Sequence, residues 1–169
     1  MACGSLPPEQ DVAVRFSSTT EIAAPPERVY QCLTDLEGYG AWMSGLVHIE
    51  RLTDGPFATG TRWREARRVM GREGQEVFEV TAADPPHGIS LYVDGSQGSS
   101  RKGAYHFRYR LTEGAGGPGT TCLELDAEID VPGIIAKLMG RMALGSFKQA
   151  IAKDKAAMKA YLESDRVSR

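Results

Sequence analysis

The chain contains no asparagine, which removes both an N-glycosylation acceptor and the Asn-Gly pair favoured in two-residue hairpin turns. Tight turns therefore fall to its 19 glycines. Cysteine is scarce as well: Cys3, Cys32 and Cys122 are odd in number, far apart, and form no Cys-x-x-Cys unit. Neither a disulfide framework nor a paired-cysteine zinc site is expected, and free thiols fit a reducing cytoplasm. Nowhere do 18 uncharged apolar residues run together, and the opening Met1-Ala-Cys-Gly-Ser-Leu-Pro-Pro holds no apolar run. Export and membrane insertion are not expected. A basic excess is also missing, with a net charge of −2 and a pI near 5.9. Nucleic acid, which selects a positive field, is not an expected partner.

What is present is an ordinary globular composition of 169 residues, 41% hydrophobic and 25% charged, long enough to bury roughly 70% of the unfolded surface around one core. Residues 1–11 carry Pro7 and Pro8 without periodicity and read as a flexible tail. Residues 12–163 read as a single domain, and 164–169 as a second tail. From Val12 to Ile22 alternate residues Val14, Phe16, Ser18, Thr20 and Ile22 share one side, the mark of a strand. Pro25-Pro26 ends it and opens a helix whose Val29, Cys32 and Leu33 form one face, since a missing N–H costs nothing in a first turn. A second short turn from Asp35 to Met43 carries Leu36, Tyr39 and Trp42 to the same side. Six punctuated strand segments follow: Leu46–Leu52, Thr61–Met70, Gln75–Ala82, Ile89–Val93, Gly103–Leu111 and Thr121–Val131. Their short connections leave no room for crossovers, so the sheet should be antiparallel. A long amphipathic helix from about Ile134 to Glu163 closes the chain. The expected fold is α+β: a curved antiparallel sheet of six to seven strands gripping that helix, with two short helices after the first strand.

Two hairpins can be registered from residue types alone. If Tyr109 lies opposite Leu125, then Arg110 faces Glu124, Arg108 faces Asp126 and His106 faces Glu128. The opposite face is then apolar on both strands, so one register satisfies both faces. In the earlier hairpin, a two-residue Gly71-Arg72 turn places Trp63 opposite Val80, Glu65 opposite Phe78 and Arg67 opposite Glu76. Arg62, Arg64, Arg68, Gln75 and Glu79 form its wet face, which puts Glu65 inside among Trp63, Phe78 and Val80. A carboxylate there must be paired, protonated or hydrogen-bonded. An internal Glu65–Arg67–Glu76 network is the plain structural role, and contact with a ligand is the functional one.

The closing helix carries two apolar stripes. Ile135, Leu138, Met139 and Met142 share one face, and Leu144, Phe147, Ile151, Met158 and Leu162 cluster about 150° away at about 100° per residue. The shift falls between Gly140 and Gly145, each roughly 1 kcal/mol worse than alanine in a helix, so a kink or break is expected there. Lys137, Arg141, Lys148, Lys155 and Lys159 are expected to form a solvated stripe.

Ile22-Ala-Ala-Pro-Pro-Glu-Arg-Val-Tyr followed by Leu33-Thr-Asp, Tyr39 and Trp42 resembles the opening of the SRPBCC superfamily, the START-related helix-grip proteins that include the polyketide cyclase/dehydrase and lipid-transport families. Gly60-Thr-Arg-Trp-Arg-Glu, the Glu79-Val-Thr-Ala-Ala-Asp-Pro-Pro segment, Gly119-Thr-Thr and Asp154-Lys-Ala-Ala-Met-Lys-Ala-Tyr-Leu-Glu are similar to later parts of it, so the resemblance spans about residues 12–163. It differs at Ser44, where many members have proline. The resemblance implies an apolar pocket between sheet and helix. Its wall would draw on Trp63, Glu65, Phe78, Leu91, Val93, Tyr105, Phe107 and Tyr109, strand residues that the face assignments also select, with Leu138 and Met142 from the helix as a lid.

Other apparent motifs fail on context. Gly114-Ala-Gly-Gly-Pro-Gly matches a dinucleotide fingerprint but joins two strands and opens no helix. His106 stands among acidic residues, yet Arg108 and Arg110 beside it would repel a metal cation. No nucleophile elbow or zinc-protease helix is present, so no cofactor is called for. Glu65, with Arg67 nearby, is the remaining chemical candidate, able to orient a ligand hydroxyl or act as a general base if burial lifts its pKa. The leading expectation is a binding protein for a hydrophobic or aromatic small molecule. A cyclase/aromatase or dehydratase using the same pocket is the alternative, and a co-chaperone-like protein-binding module the third.

Overall fold

The computed structural model describes residues 12–69, 71–101, 103–131 and 133–164, with the side chains of residues 12, 69 and 131–144 outside that description. Its elements are β1 (Val12–Ile22), α1 (Pro26–Thr34), a 3-10 turn (Glu37–Ala41), β2 (Leu46–Arg51), β3 (Arg62–Val69), β4 (Arg72–Asp84), β5 (Gly88–Asp94), a second 3-10 turn (Gly95–Gln97), β6 (Ala104–Glu113), β7 (Thr121–Val131) and α2 (Gly133–Ser164). Seven strands form one sheet in the order β1-β7-β6-β5-β4-β3-β2, every neighbouring pair antiparallel. This is the helix-grip arrangement expected from the sequence.

β6 and β7 pair in the expected register, with Tyr109 opposite Leu125, Arg110 opposite Glu124, Arg108 opposite Asp126 and His106 opposite Glu128. Leu123 and Leu125 are fully buried and Ala127 and Ile129 nearly so, which is the alternation that fixes the register. The ion pairs follow this register only in part. Arg110 spans Glu124 at 2.8 Å and Asp126 at 3.2 Å, while Glu128 turns to Arg15 of β1 at 2.6 Å. β7 is flanked by β1 as well as β6, so its acidic row is shared between two strands.

The β3–β4 hairpin differs from expectation by two residues. Trp63 pairs with Phe78, Glu65 with Glu76, and Arg67 with Gly74, closing on Val69 opposite Arg72. Gly71 has φ +78° and occupies the second central position of the turn, where a left-handed conformation is demanded. A shift of two leaves each side chain on its original face, so Trp63, Glu65, Arg67 and Phe78 still point inward. What changes is the partner of Glu76: its carboxylate accepts from the Ser100 backbone N–H at 2.9 Å and hydroxyl at 2.6 Å and takes no part in the expected network with Arg67.

The core joins α1, the first 3-10 turn, the inner face of the sheet and the end of α2. Val29, Cys32, Leu33, Leu36 and Tyr39 are buried with Met158 and Leu162. The Tyr39 hydroxyl donates to the Leu33 carbonyl at 2.6 Å, and the buried Thr121 hydroxyl donates to the Ala24 carbonyl at 2.6 Å, so both bends around α1 are tied by side chains. Burial pushes the Cys32 thiol up to about 12, which makes it an inert core residue.

α2 runs as one helix through Gly140 and Gly145, so the expected break is not found. Two glycine penalties of about 1 kcal/mol each are small beside the cooperativity of so long a helix. The expected solvated stripe is also corrected at Lys155, which is only 8% exposed. Position 155 lies one turn from both Ile151 and Met158, on the face turned to the sheet. Its charge, taken as the mark of a solvated position, misplaced it.

Candidate functional site: a cavity between sheet and helix

Asp154 and Lys155 show how the sheet must curl. Consecutive helix residues diverge by about 100°. Asp154 meets Arg67 of β3, and Lys155 meets Ser18 of β1. These strands stand sixth and first in the sheet, about 24 Å apart were it flat at about 4.8 Å per step. One helical turn reaches both only because the sheet wraps around it. The space enclosed is a cavity of about 530 Å³, within the roughly 300–1,000 Å³ usual for small-molecule sites. Exposed Arg72, Glu73 and Ser100 line one end of it, which places the opening at the β3–β4 turn.

Trp63, Glu65, Phe78, Leu91 and Val93 all lie on the cavity wall, as do Tyr105, Phe107 and Tyr109. They differ in what they present. Trp63, Val93 and Leu91 are 1%, 2% and 6% exposed, so they back the wall. Phe78, Tyr105, Phe107 and Tyr109 are partly exposed and supply its surface. Leu138 and Met142, the expected lid, have side chains outside the described residues. From α2 the structure instead brings in Phe147, Ile151, Asp154, Lys155 and Met158, and from the first helical pair Leu33, Tyr39, Trp42 and Met43. The signal for Phe147, Ile151 and Met158 was their shared apolar stripe; Asp154 and Lys155 carried none. Phe147 packs its ring within 6.0 Å of Phe16 and Tyr105 and 6.2 Å of Phe107, closing the roof.

A polar cluster is set into the β3 side of this apolar space. Glu65 is 4% exposed. Its Oε2 accepts from the Trp63 indole N–H at a long 3.5 Å, and its Oε1 lies 3.5 Å from Arg67 Nε. That nitrogen is buried without a hydrogen-bonded partner, so the contact is electrostatic rather than directional. Arg67 spends its other end better. Nη2 stands 2.7 Å from Asp154 Oδ2 and donates to the Ser44 carbonyl at 2.9 Å. Gly45, at φ +75°, lies tightly against β3, where a Cβ would stand 2.6 Å from the Arg68 carbonyl oxygen.

Burial raises the Glu65 pKa, and the attraction of Arg67 and the Trp63 hydrogen bond only partly oppose it. Asp154 is raised for the same first reason, again against Arg67. Burial also raises the Tyr109 phenol, with the charges of Asp154 and Glu65 adding to the effect. Tyr109 therefore stays a neutral hydroxyl, and it has no hydrogen-bond partner among the described residues. The Tyr105 hydroxyl is already used on Ser100, at 3.1 Å. Glu65 and Tyr109 thus both have bonding capacity left over within the cavity.

The sign of the Glu65 shift gives a stability prediction. A carboxyl whose folded pKa exceeds its unfolded value holds more protons when folded, so stability falls as pH rises from the unfolded pKa, about 4.3, through the folded one. Glu65→Gln removes that loss. Urea unfolding at pH 5 and pH 7.5 should therefore show a smaller decline in the variant than in the parent, and an equal decline would contradict it.

Among the described residues, no group of three or more His, Cys, Asp or Glu is placed to hold a metal ion, and no helix is long and apolar enough to cross a membrane.

A curled antiparallel sheet, a helix gripped along its concave face and a cavity between them define a helix-grip protein of the START-related kind. Residues 13–163 match the polyketide cyclase/dehydrase and lipid transport family model, and the chain belongs to that family. No curated protein matches it in sequence. Among solved structures it is similar to the ZhuI aromatase/cyclase of a Streptomyces, at 18% identity and TM-score 0.73, over 94% of this chain and 97% of that one. A Thermus thermophilus protein is similar at 17% identity and TM-score 0.73, over 90% of this chain and 99% of that one. A START superfamily protein from Mycobacterium smegmatis is similar at 21% identity and TM-score 0.61, over 85% and 96%. At these identities the likeness is one of fold.

Proposed function

We propose that the protein binds a hydrophobic or aromatic small molecule in the cavity between sheet and α2, and carries or sequesters it. The observation that supports this most is an open space of about 530 Å³ with a mainly aromatic and aliphatic surface, into which the under-bonded Glu65 carboxyl and the unpartnered Tyr109 hydroxyl are set beside the paired Arg67 and Asp154 and, on the β1 side, Lys155. Apolar contact supplies affinity, and the few polar groups fix orientation. A guest of about 20 non-hydrogen atoms at about 0.3 kcal/mol per atom gains about 6 kcal/mol, a dissociation constant of tens of micromolar. Native mass spectrometry of freshly purified protein, followed by titration with a lipid and polyketide panel, tests it. Retained or added mass with micromolar affinity is expected. A chain that stays empty throughout the panel refutes the reading.

A second reading, a cyclase/aromatase- or dehydratase-type enzyme, is supported by the raised carboxyl of Glu65 facing the same space as Tyr109. A carboxyl shifted toward neutrality can give and take a proton, an effect typically worth 10²–10⁴ in rate. Glu65→Gln separates the two. A carrier keeps its affinity within about threefold, whereas an enzyme loses at least about a hundredfold in turnover while still binding. The protein-binding alternative calls for an interior packed with side chains, and the cavity weighs against it.

A further inference from the structure

Lys155 is the charged group that the binding reading leaves without a role. Lysine is almost never fully buried unless paired, yet Lys155 is 8% exposed and lines the cavity. Among the described residues its ammonium makes one hydrogen bond, donating to the Ser18 hydroxyl at 2.8 Å, and no carboxylate lies within ion-pair distance of it. On the β3 side of the cavity Arg67 serves both Glu65 and Asp154. Lys155 stands apart from them, on the β1 side.

An ammonium has three donors, so two are left without a partner among the described residues. Burial without a partner is unfavourable to the charged form, and here it lowers the lysine pKa. Stability alone gives no reason to keep a lysine at this position, because an apolar residue between Ile151 and Met158 would bury well. A guest that brings a negative charge supplies the missing partner.

We propose that the preferred ligand is an amphipathic acid whose carboxylate pairs with Lys155 beside Ser18, while its hydrophobic body lies along Phe107 and Phe147. This rests on the binding reading above and adds the chemical class of the guest and the residue that selects it. One cation with two free donors matches a monoanion with two acceptor oxygens. A phosphate, with nearly two charges, would leave one of them unpaired in an apolar space. The pair would also be shielded from solvent, where such contacts are far stronger than at a surface.

The test uses matched pairs of probes that differ only in the head group: dodecanoate against 1-dodecanol, and 2-naphthylacetate against 2-naphthaleneethanol. Calorimetric titration of the full chain at pH 7 should show each acid binding about tenfold or more tightly than its alcohol. Lys155→Met should abolish that preference while leaving the alcohols within about threefold, and it should fold, since it replaces a buried charge by an apolar chain of similar length. Ser18→Ala frees a third donor without removing the cation, so it should keep or sharpen the preference. Equal binding of acid and alcohol by the parent protein, or an acid preference that survives in Lys155→Met, overturns the inference and leaves the binding reading standing. Failure of all four probes to bind overturns both.

Discussion

Replacing Trp63 by alanine is expected to lower the unfolding free energy by about 4 kcal/mol, within the roughly 3–5 kcal/mol range for large aromatic truncations in a core. Its ring is 1% exposed, stacks on Phe78 at 5.1 Å with the planes 8° apart, and tilts against Phe57 at 6.2 Å. Truncation also deletes the indole N–H that Glu65 accepts, so a carboxylate already poorly served loses a donor. At about 2–4 °C per kcal/mol for a domain of this size, the melting temperature should fall by roughly 10 °C. Denaturation followed by circular dichroism reads this directly. A loss below about 2 kcal/mol would mean that Trp63 is not a load on the core but a loosely held part of the wall.

Arg67→Met is expected to destabilise by about 3 kcal/mol at pH 7, by a different route. Removing one partner of a buried pair leaves the other charge unmatched, typically at 3–5 kcal/mol. The Arg67 side chain is 25% exposed, which favours the lower end. Two carboxylates that now share Arg67, Glu65 and Asp154, would be left without it. In the parent Arg67 opposes the burial that raises both pKa values, so without it both rise further. Carboxyls with folded pKa values above the unfolded ones destabilise only when ionised. The deficit of Arg67→Met should therefore shrink as pH falls from 7 toward 5, as those groups take up protons. A deficit independent of pH would assign the loss to packing of the arginine stem instead.

Residue types alone carried the architecture, and in one hairpin they carried the register too. β6 and β7 are overdetermined: the charge ladder and the apolar alternation each select Tyr109 opposite Leu125. β3 and β4 lack that second constraint. A side-chain pattern of period two cannot distinguish a register from one shifted by two, and the turn decides between them. Gly71 in a left-handed conformation belongs at the second central position, which the expected Gly71-Arg72 turn did not allow. The wall positions on β3, β4, β5 and β6 were legible because strand alternation assigns a face without reference to partners. Asp154 and Lys155 were not, since charge on a helix ordinarily means solvent. Their burial is a tertiary effect of the sheet closing around α2. The volume of the cavity was likewise beyond reach, since it depends on curvature rather than on residue identity.

Because Asp154 and Lys155 grasp opposite margins of the sheet from neighbouring positions, α2 is keyed against rolling. Turning it either way stretches one grasp before the other can slacken. The ceiling of the cavity is then held at a set height, and a change in the size of that space has to come from trimming or enlarging the rings and branches that hang from it, Phe147 and Ile151 first. A chain with smaller residues at those two positions would enclose a larger space on an unchanged backbone.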